Sequence, residues 1–142
     1  MSDPHNLQRF VDAQEGVFDQ ALAELHAGDK QSHWMWFVFP QLAGLGRSPT
    51  AQYFALKTSE EARCYLHHPL LGARLREAAE ALLPWRGRRT AEQILGPVDT
   101  MKLRSSLTLF DAIAPGGIFG EALGAFFDGP DAQTLALLQQ SE

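Results

Sequence analysis

The apolar residues Leu7, Phe10, Val11, Val17, Phe18, Ala21, Leu22 and Leu25 recur at three- and four-residue steps, the spacing of one helix face. They predict a helix over residues 6–27. Gly28 follows the last of them and predicts its C-terminal cap, because glycine accepts the left-handed backbone such a cap requires. Gln14 falls inside the apolar arc, between Val17 and Leu25, while Asp12, Glu15 and Asp19 point away. An amide is thus aimed at the core.

The next stretch, His33-Trp34-Met35-Trp36-Phe37-Val38-Phe39-Pro40-Gln41, has no such division. As a strand both of its faces are apolar, and as a helix it is apolar all round, so it predicts an enclosed segment. The glycines and proline of residues 42–49 read as a loop, and Ser48-Pro49 as a helix start. Residues 50–56 fit a short helix and an extended piece equally.

Thr58 with Glu61 reads as a capping box ahead of a helix that turns Ala62, Tyr65 and Leu66 inward. Pro69 stops that helix and starts another, with Leu71, Leu75, Ala78, Ala79 and Leu82 on one side. Residues 84–89 are a loop. Thr90 and Gln93 form a second capping box, for a short helix ending at Gly96-Pro97. Asp99 is placed to cap a helix over residues 99–114; Phe119, Leu123, Phe126 and Phe127 mark a further one, and Asp131, Leu135 and Leu138 the last. The prediction is an all-α, single compact non-bundle domain over residues 1–142, with roughly six to eight helices around the buried aromatic segment.

On the helix over residues 99–114, Leu103, Leu107, Leu109, Phe110, Ile113 and Ala114 spread across one broad side. Asp99, Lys102 and Ser106 fall inside that side, while Arg104, Ser105, Thr108 and Asp111 fall outside it. A buried ion without a partner costs several kcal/mol, and Asp99 and Lys102, three residues apart, are spaced to pair. Two readings follow. In one, Lys102 lays its methylenes along the core edge and Asp99 only caps; in the other, these groups line a pocket with a few convergent polar groups. The same choice applies to Gln14, to His33 and Gln41 at the ends of the aromatic run, and to Lys30 just before it. His33 is also the side chain type suited to acid–base work near neutral pH.

Composition narrows the class. The 142 residues are 45% hydrophobic and 20% charged, as in a soluble domain large enough to fold on one core. The net charge of −5 argues against a general nucleic-acid binder and leaves a small anionic ligand open. No apolar run approaches membrane-spanning length and the N-terminus is polar, so neither a membrane segment nor a signal peptide is expected. The single cysteine, Cys64, fits a reducing, cytoplasmic setting. Cys64, His67 and His68 lack the further ligands that zinc needs, and no metal or cofactor is expected. Arg86, Arg88 and Arg89 beside Trp85 suit either a phosphate clamp or a solvated loop. In an acidic chain the solvated loop is the reading taken.

The run from Lys30 and His33 through Gln41, then Gly44-Leu45-Gly46, Glu61-Ala62, His68-Pro69-Leu70-Leu71-Gly72, and Asp99 with Lys102-Leu103 through Leu109-Phe110 closely resembles the domain-of-unknown-function family numbered eighteen-ten. The resemblance covers nearly the whole chain. It implies a mainly helical fold and brings no established activity. A calpastatin-like label carried by some members does not suit a compact chain such as this one. Glu61-Ala62 and the segment from Lys102 to Phe110 are more loosely similar to helical domains that process ADP-ribose glycosides.

The motif positions coincide with those reached from helical placement. They predict an enclosed pocket for a small polar or anionic molecule, nucleotide-like ones included, with Lys30, Trp34, Trp36, Gln41, Ser106 and Gln14 binding it and Phe110 as a further wall. If the protein is an enzyme, the chemistry expected is hydrolytic or glycosidic, with His33 or Asp99 as acid–base and Lys102 stabilising charge. The alternative is a non-enzymatic interaction or adaptor module with a purely structural aromatic motif.

Overall fold

Gly16 divides the first predicted helix in two. In the computed structural model, which describes residues 3–140 and leaves Met1, Ser2, Ser141 and Glu142 outside the description, α1 is Gln8–Gln14 and α2 is Phe18–His26. Glu15 is extended and Gly16 adopts φ +72°, a left-handed turn open to glycine at little steric cost. The apolar spacing carries across this break because each half keeps its own three- and four-residue rhythm. Asp3 caps α1 from outside, accepting from the amides of Leu7 at 2.8 Å and Gln8 at 3.0 Å. These bonds, that of Gln8 foremost, hold its carboxyl below the usual range.

Within the aromatic run Met35–Val38 form one helical turn, α3, with His33 and Trp34 before it and Phe39, Pro40 and Gln41 after it outside any helix. Trp34, Met35, Phe37, Val38 and Phe39 are buried, whereas Trp36 is half-buried and His33 exposed. The ambiguous stretch becomes α4 (Pro49–Phe54), capped by the Ser48 hydroxyl at 3.1 Å from the Ala51 amide. An extended piece follows, and Leu56 makes an isolated parallel bridge with Leu42. The later helices are α5 (Ser59–His67), α6 (Leu71–Leu82) with a 3-10 turn at Leu83–Trp85, α7 (Ala91–Leu95), α8 (Pro97–Ile113), α9 (Ile118–Phe126) and α10 (Ala132–Gln140). Ten α-helices among the described residues exceed the expected number because the first one splits and two short ones had no decisive pattern.

Three local expectations change. Thr58 does accept from the Glu61 amide at 3.1 Å, but the Glu61 carboxylate turns away to Arg9 at 2.9 Å, so the capping box is half made. Asp99 is not the cap of α8: that helix starts two residues earlier, with Gly96 preceding it and Pro97 in its first turn, and places Asp99 at the third helical position. Ser105 and Thr108, expected on the outer side, are buried at 6% and 2% exposure. The reason is that α8 packs against α5, α7, α9 and α10 and has little outer side left. Thr108 instead bonds the Arg104 carbonyl and the Asp131 amide, at 2.7 and 2.9 Å. The box at Thr90 and Gln93 is complete.

α6 is the second hub, packed on α2, α5 and α9. Between α2 and the 3-10 turn, Gly28 caps α2 at φ +67°, and a Cβ placed there would lie 2.7 Å from the Trp85 indole. Trp85 is held in turn by its indole N–H, which donates to the Leu25 carbonyl at 3.0 Å. Gly28→Ala is therefore expected to lose about 2 kcal/mol, through left-handed strain and crowding against a pinned ring. Urea unfolding measures it, and a loss under about 0.5 kcal/mol would show that the indole yields.

Candidate functional site

Lys30 and Lys102 share one carboxylate. Asp99 meets the Lys30 ammonium at 2.9 Å through Oδ2 and the Lys102 ammonium at 3.5 Å through Oδ1. Each lysine also lies over a tryptophan: Lys30 Nζ is 5.0 Å from the centre of the Trp34 ring, and Lys102 Nζ 4.5 Å from that of Trp36. Such cation–π contacts add about 0.5–2 kcal/mol, more where water is excluded. The side chain of Lys30 is only 7% exposed, against 21% for Lys102. The sequence pairing of Asp99 with Lys102 is thus real, and Lys30 makes the shorter contact.

The trio is fixed by a carboxylate that the helical pattern did not bring forward. Glu24, 5% exposed, accepts from the Trp34 indole at 2.8 Å, the Gln31 and Ser32 amides at 2.9 and 3.0 Å, the Ser32 hydroxyl at 2.7 Å and the Gln20 amide group at 2.8 Å. Burial works against its charge, but the bonds from Gln20, Trp34, Ser32 and Gln31 outweigh it and bring its pKa down to about 2. They also set the 30–34 loop, in which Lys30 donates to the Ser32 carbonyl at 2.6 Å. One sequence signal existed: Glu24 lies three residues after Ala21 and beside Leu25, inside the buried stripe of α2.

Lys102 leads into a groove of about 270 Å³ whose walls include Gln41, Leu45, Met101, Arg104 and Ser105. Arg104 is anchored there by bonds to the Gly129 and Pro130 carbonyls at 2.9 and 3.3 Å. Asp131, also at the groove, caps α10 through the Thr134 amide and hydroxyl at 3.0 and 2.6 Å. The structure therefore gathers Lys30, Asp99, Lys102, Trp36 and Gln41 around one place, with Trp34 beneath Lys30.

The other expected residues lie apart. His33 is exposed and makes no hydrogen bond or ion pair with the described residues. Gln14 is 1% exposed and donates to the Phe37 carbonyl at 2.6 Å and the Tyr65 hydroxyl at 3.2 Å, while Arg74 donates to its oxygen at 3.3 Å. Burial pushes the Tyr65 hydroxyl up, and it donates to the same Phe37 carbonyl at 3.2 Å. Phe110 stacks between Tyr65 and Phe119 in the core, not on the groove. Ser106 is fully buried, and its hydroxyl has no partner among the described residues.

A larger cleft, about 550 Å³, lies where α1, α4 and α5 meet and is lined by His5, Arg9, Tyr53, Lys57 and Glu61 among others. Its buried charges answer one another, so size alone does not make it the better site. Among the described residues, no three His, Cys, Asp or Glu side chains converge as a metal site requires, and no helix is long and apolar enough to cross a membrane.

These features define a small all-helical protein with a cationic groove beside a tryptophan-backed ion-pair trio. The chain belongs to the family described as a protein of unknown function (DUF1810), whose profile matches residues 4–138. Its fold is similar to the crystal structure of a conserved hypothetical protein from Mycobacterium tuberculosis, with 46% identity and a TM-score of 0.93 over 96% of this chain and 99% of that one. No curated protein matches this chain.

Proposed function

We propose that the protein binds a small anionic molecule, carrying phosphate or carboxylate, in the groove beside Lys102. The observation that carries this reading is the loosely paired Lys102 ammonium: it is 21% exposed and stands 3.5 Å from Asp99, whose closer contact, 2.9 Å, goes to Lys30. Arg104 adds a further cation at the groove, where the Asp131 carboxylate is engaged by the Thr134 amide and hydroxyl, and Gln41 supplies an uncharged polar group in the same lining. A groove of about 270 Å³ is slightly smaller than the usual ligand cavity of about 300–1,000 Å³, which favours a small metabolite over a dinucleotide.

Binding is a better reading than hydrolysis. Asp99 is engaged by two ammonium groups, and His33 stands away from the groove walls, so no free acid–base pair faces a bound molecule. The lone Cys64 supports a reducing, cytoplasmic setting. One observation favours an interaction module instead: Val98 and Met101 at the groove edge are 67% and 72% exposed, the kind of apolar patch that a protein partner covers.

Thermal stability against nucleotides, sugar phosphates and small carboxylates tests the proposal, since a ligand at about 100 times its Kd adds about 2.7 kcal/mol. Lys102→Met is expected to abolish the shift while leaving the fold intact, with an unliganded melting temperature lower by about 2–6 °C for the lost contacts to Asp99 and Trp36. A shift that survives the substitution places the ligand elsewhere. Loss of a protein partner on Met101→Asp, with no small-molecule shift in the native chain, would favour the interaction module.

A further inference from the structure

The loop between the 3-10 turn and α7 holds two guanidinium groups that no carboxylate answers. Its neighbour Arg86 pairs with Glu121 at 3.1 Å, but Arg88 and Arg89 form no salt bridge among the described residues. Both line a cleft of about 300 Å³ with Gly87, Thr90, Gln93, Ala125 and Phe126. There is no acid in that lining. Arg88 lies over the Trp85 ring at 5.1 Å, which restricts its reach. Arg89 donates through Nη2 to the Gln93 carbonyl at 3.0 Å, while its Nε is buried with no acceptor. A buried charged donor left unbonded is unfavourable by several kcal/mol unless something supplies the acceptor.

Nε–H is free, and Nη2 keeps one of its two hydrogens after serving the Gln93 carbonyl, so Arg89 retains two adjacent donors for the oxygens of a phosphate. A second guanidinium from Arg88 at the mouth neutralises the remaining charge. Opposite them, Ala125 and Phe126 of α9 present an apolar wall. We infer that this cleft is a second binding site, independent of the groove at Lys102, and that it takes the phosphate group of a small monoester whose organic part rests on Phe126. The unpaired Nε–H, the absence of any lining acid and the apolar wall each select that chemistry: an acceptor, a negative charge and an apolar body.

The test is a titration of the full chain, 15N-labelled, with inorganic phosphate and separately with phenyl phosphate, followed by NMR. Saturable shifts are expected at the Arg89 Nε–H and at the backbone amides of Thr90 and Gln93, with phenyl phosphate binding about tenfold more tightly than inorganic phosphate because it also covers Phe126. Arg89→Lys keeps the charge, loses the fork and is expected to weaken phenyl phosphate at least about tenfold. Arg88→Ala gives an independent check should the first variant misfold, and is expected to weaken binding as well. Lys102→Met is expected to leave this binding unchanged, so failure here and failure of the groove proposal are distinguishable. The inference is overturned if neither probe gives saturable shifts at roughly 10 mM, if Arg89→Lys binds as the native chain does, or if the shifts gather at Gln41 and Lys102 instead.

Discussion

Arg9→Met is expected to destabilise the fold by about 3–5 kcal/mol, the usual result of breaking a buried ion pair from one side. Arg9 is 9% exposed and Glu61 4%. The guanidinium uses all of its edges: Nε donates to the Tyr53 carbonyl at 2.8 Å, Nη1 to those of His5 and Asn6 at 2.6 and 2.8 Å, and Nη2 to Ala55 at 3.0 Å and to the Glu61 carboxylate at 2.9 Å. It also lies 4.5 Å above the Phe10 ring. Methionine replaces the stem and none of the donors, leaving one buried anion and several carbonyls without partners. Equilibrium unfolding in urea measures the loss. Adding Glu61→Leu to Arg9→Met is expected to recover part of it, because the stranded charge is then gone. A single-variant loss below about 1 kcal/mol would mean that water reaches the pair and that the clasp contributes little.

The second large effect belongs to Glu24. At neutral pH, Glu24→Gln is expected to remove about 3 kcal/mol, since the amide offers one acceptor oxygen where the carboxylate holds five donors. Its pH dependence has a definite direction. The folded-state pKa, about 2, lies below the ordinary 4.5, so the unfolded chain takes up the proton first as pH falls. The contribution is complete above about pH 4.5 and disappears as pH drops towards 2. Unfolding free energies across that interval should fall more steeply for the native chain than for Glu24→Gln. Parallel acid limbs in the two proteins would rule out the depressed carboxyl as their cause.

How much of this was legible depended on the range over which a residue acts. Gly28, the Ser48-Pro49 start and the box at Thr90 and Gln93 satisfy backbone groups a few positions away, so their types and spacing suffice. The break at Gly16 was harder, because a left-handed glycine and an ordinary helical one are spelled alike. The Arg9–Glu61 clasp spans 52 positions, and no local pattern announces it; the local pattern offers Glu61 only the capping box with Thr58. At the groove, the inward placement of Asp99 and Lys102 was readable from the helical wheel. That Lys30 completes the trio follows from the 30–34 loop, which Glu24 shapes through contacts across seven to ten residues. His33 and Gln14 show the limit of position alone, since one stands in solvent and the other is saturated inside the core.

The three tryptophans sit in three unlike settings. Trp34 is sealed and hydrogen-bonded to a carboxylate, Trp85 is bonded to a backbone carbonyl, and Trp36 is partly open beneath an ammonium group. The protein therefore carries its own optical reporters. Emission from Trp34 and Trp85 follows the integrity of the fold, whereas emission from Trp36 follows the Lys102 ammonium above its ring, and replacing Trp34 and Trp85 together with phenylalanine leaves that signal alone without any added dye.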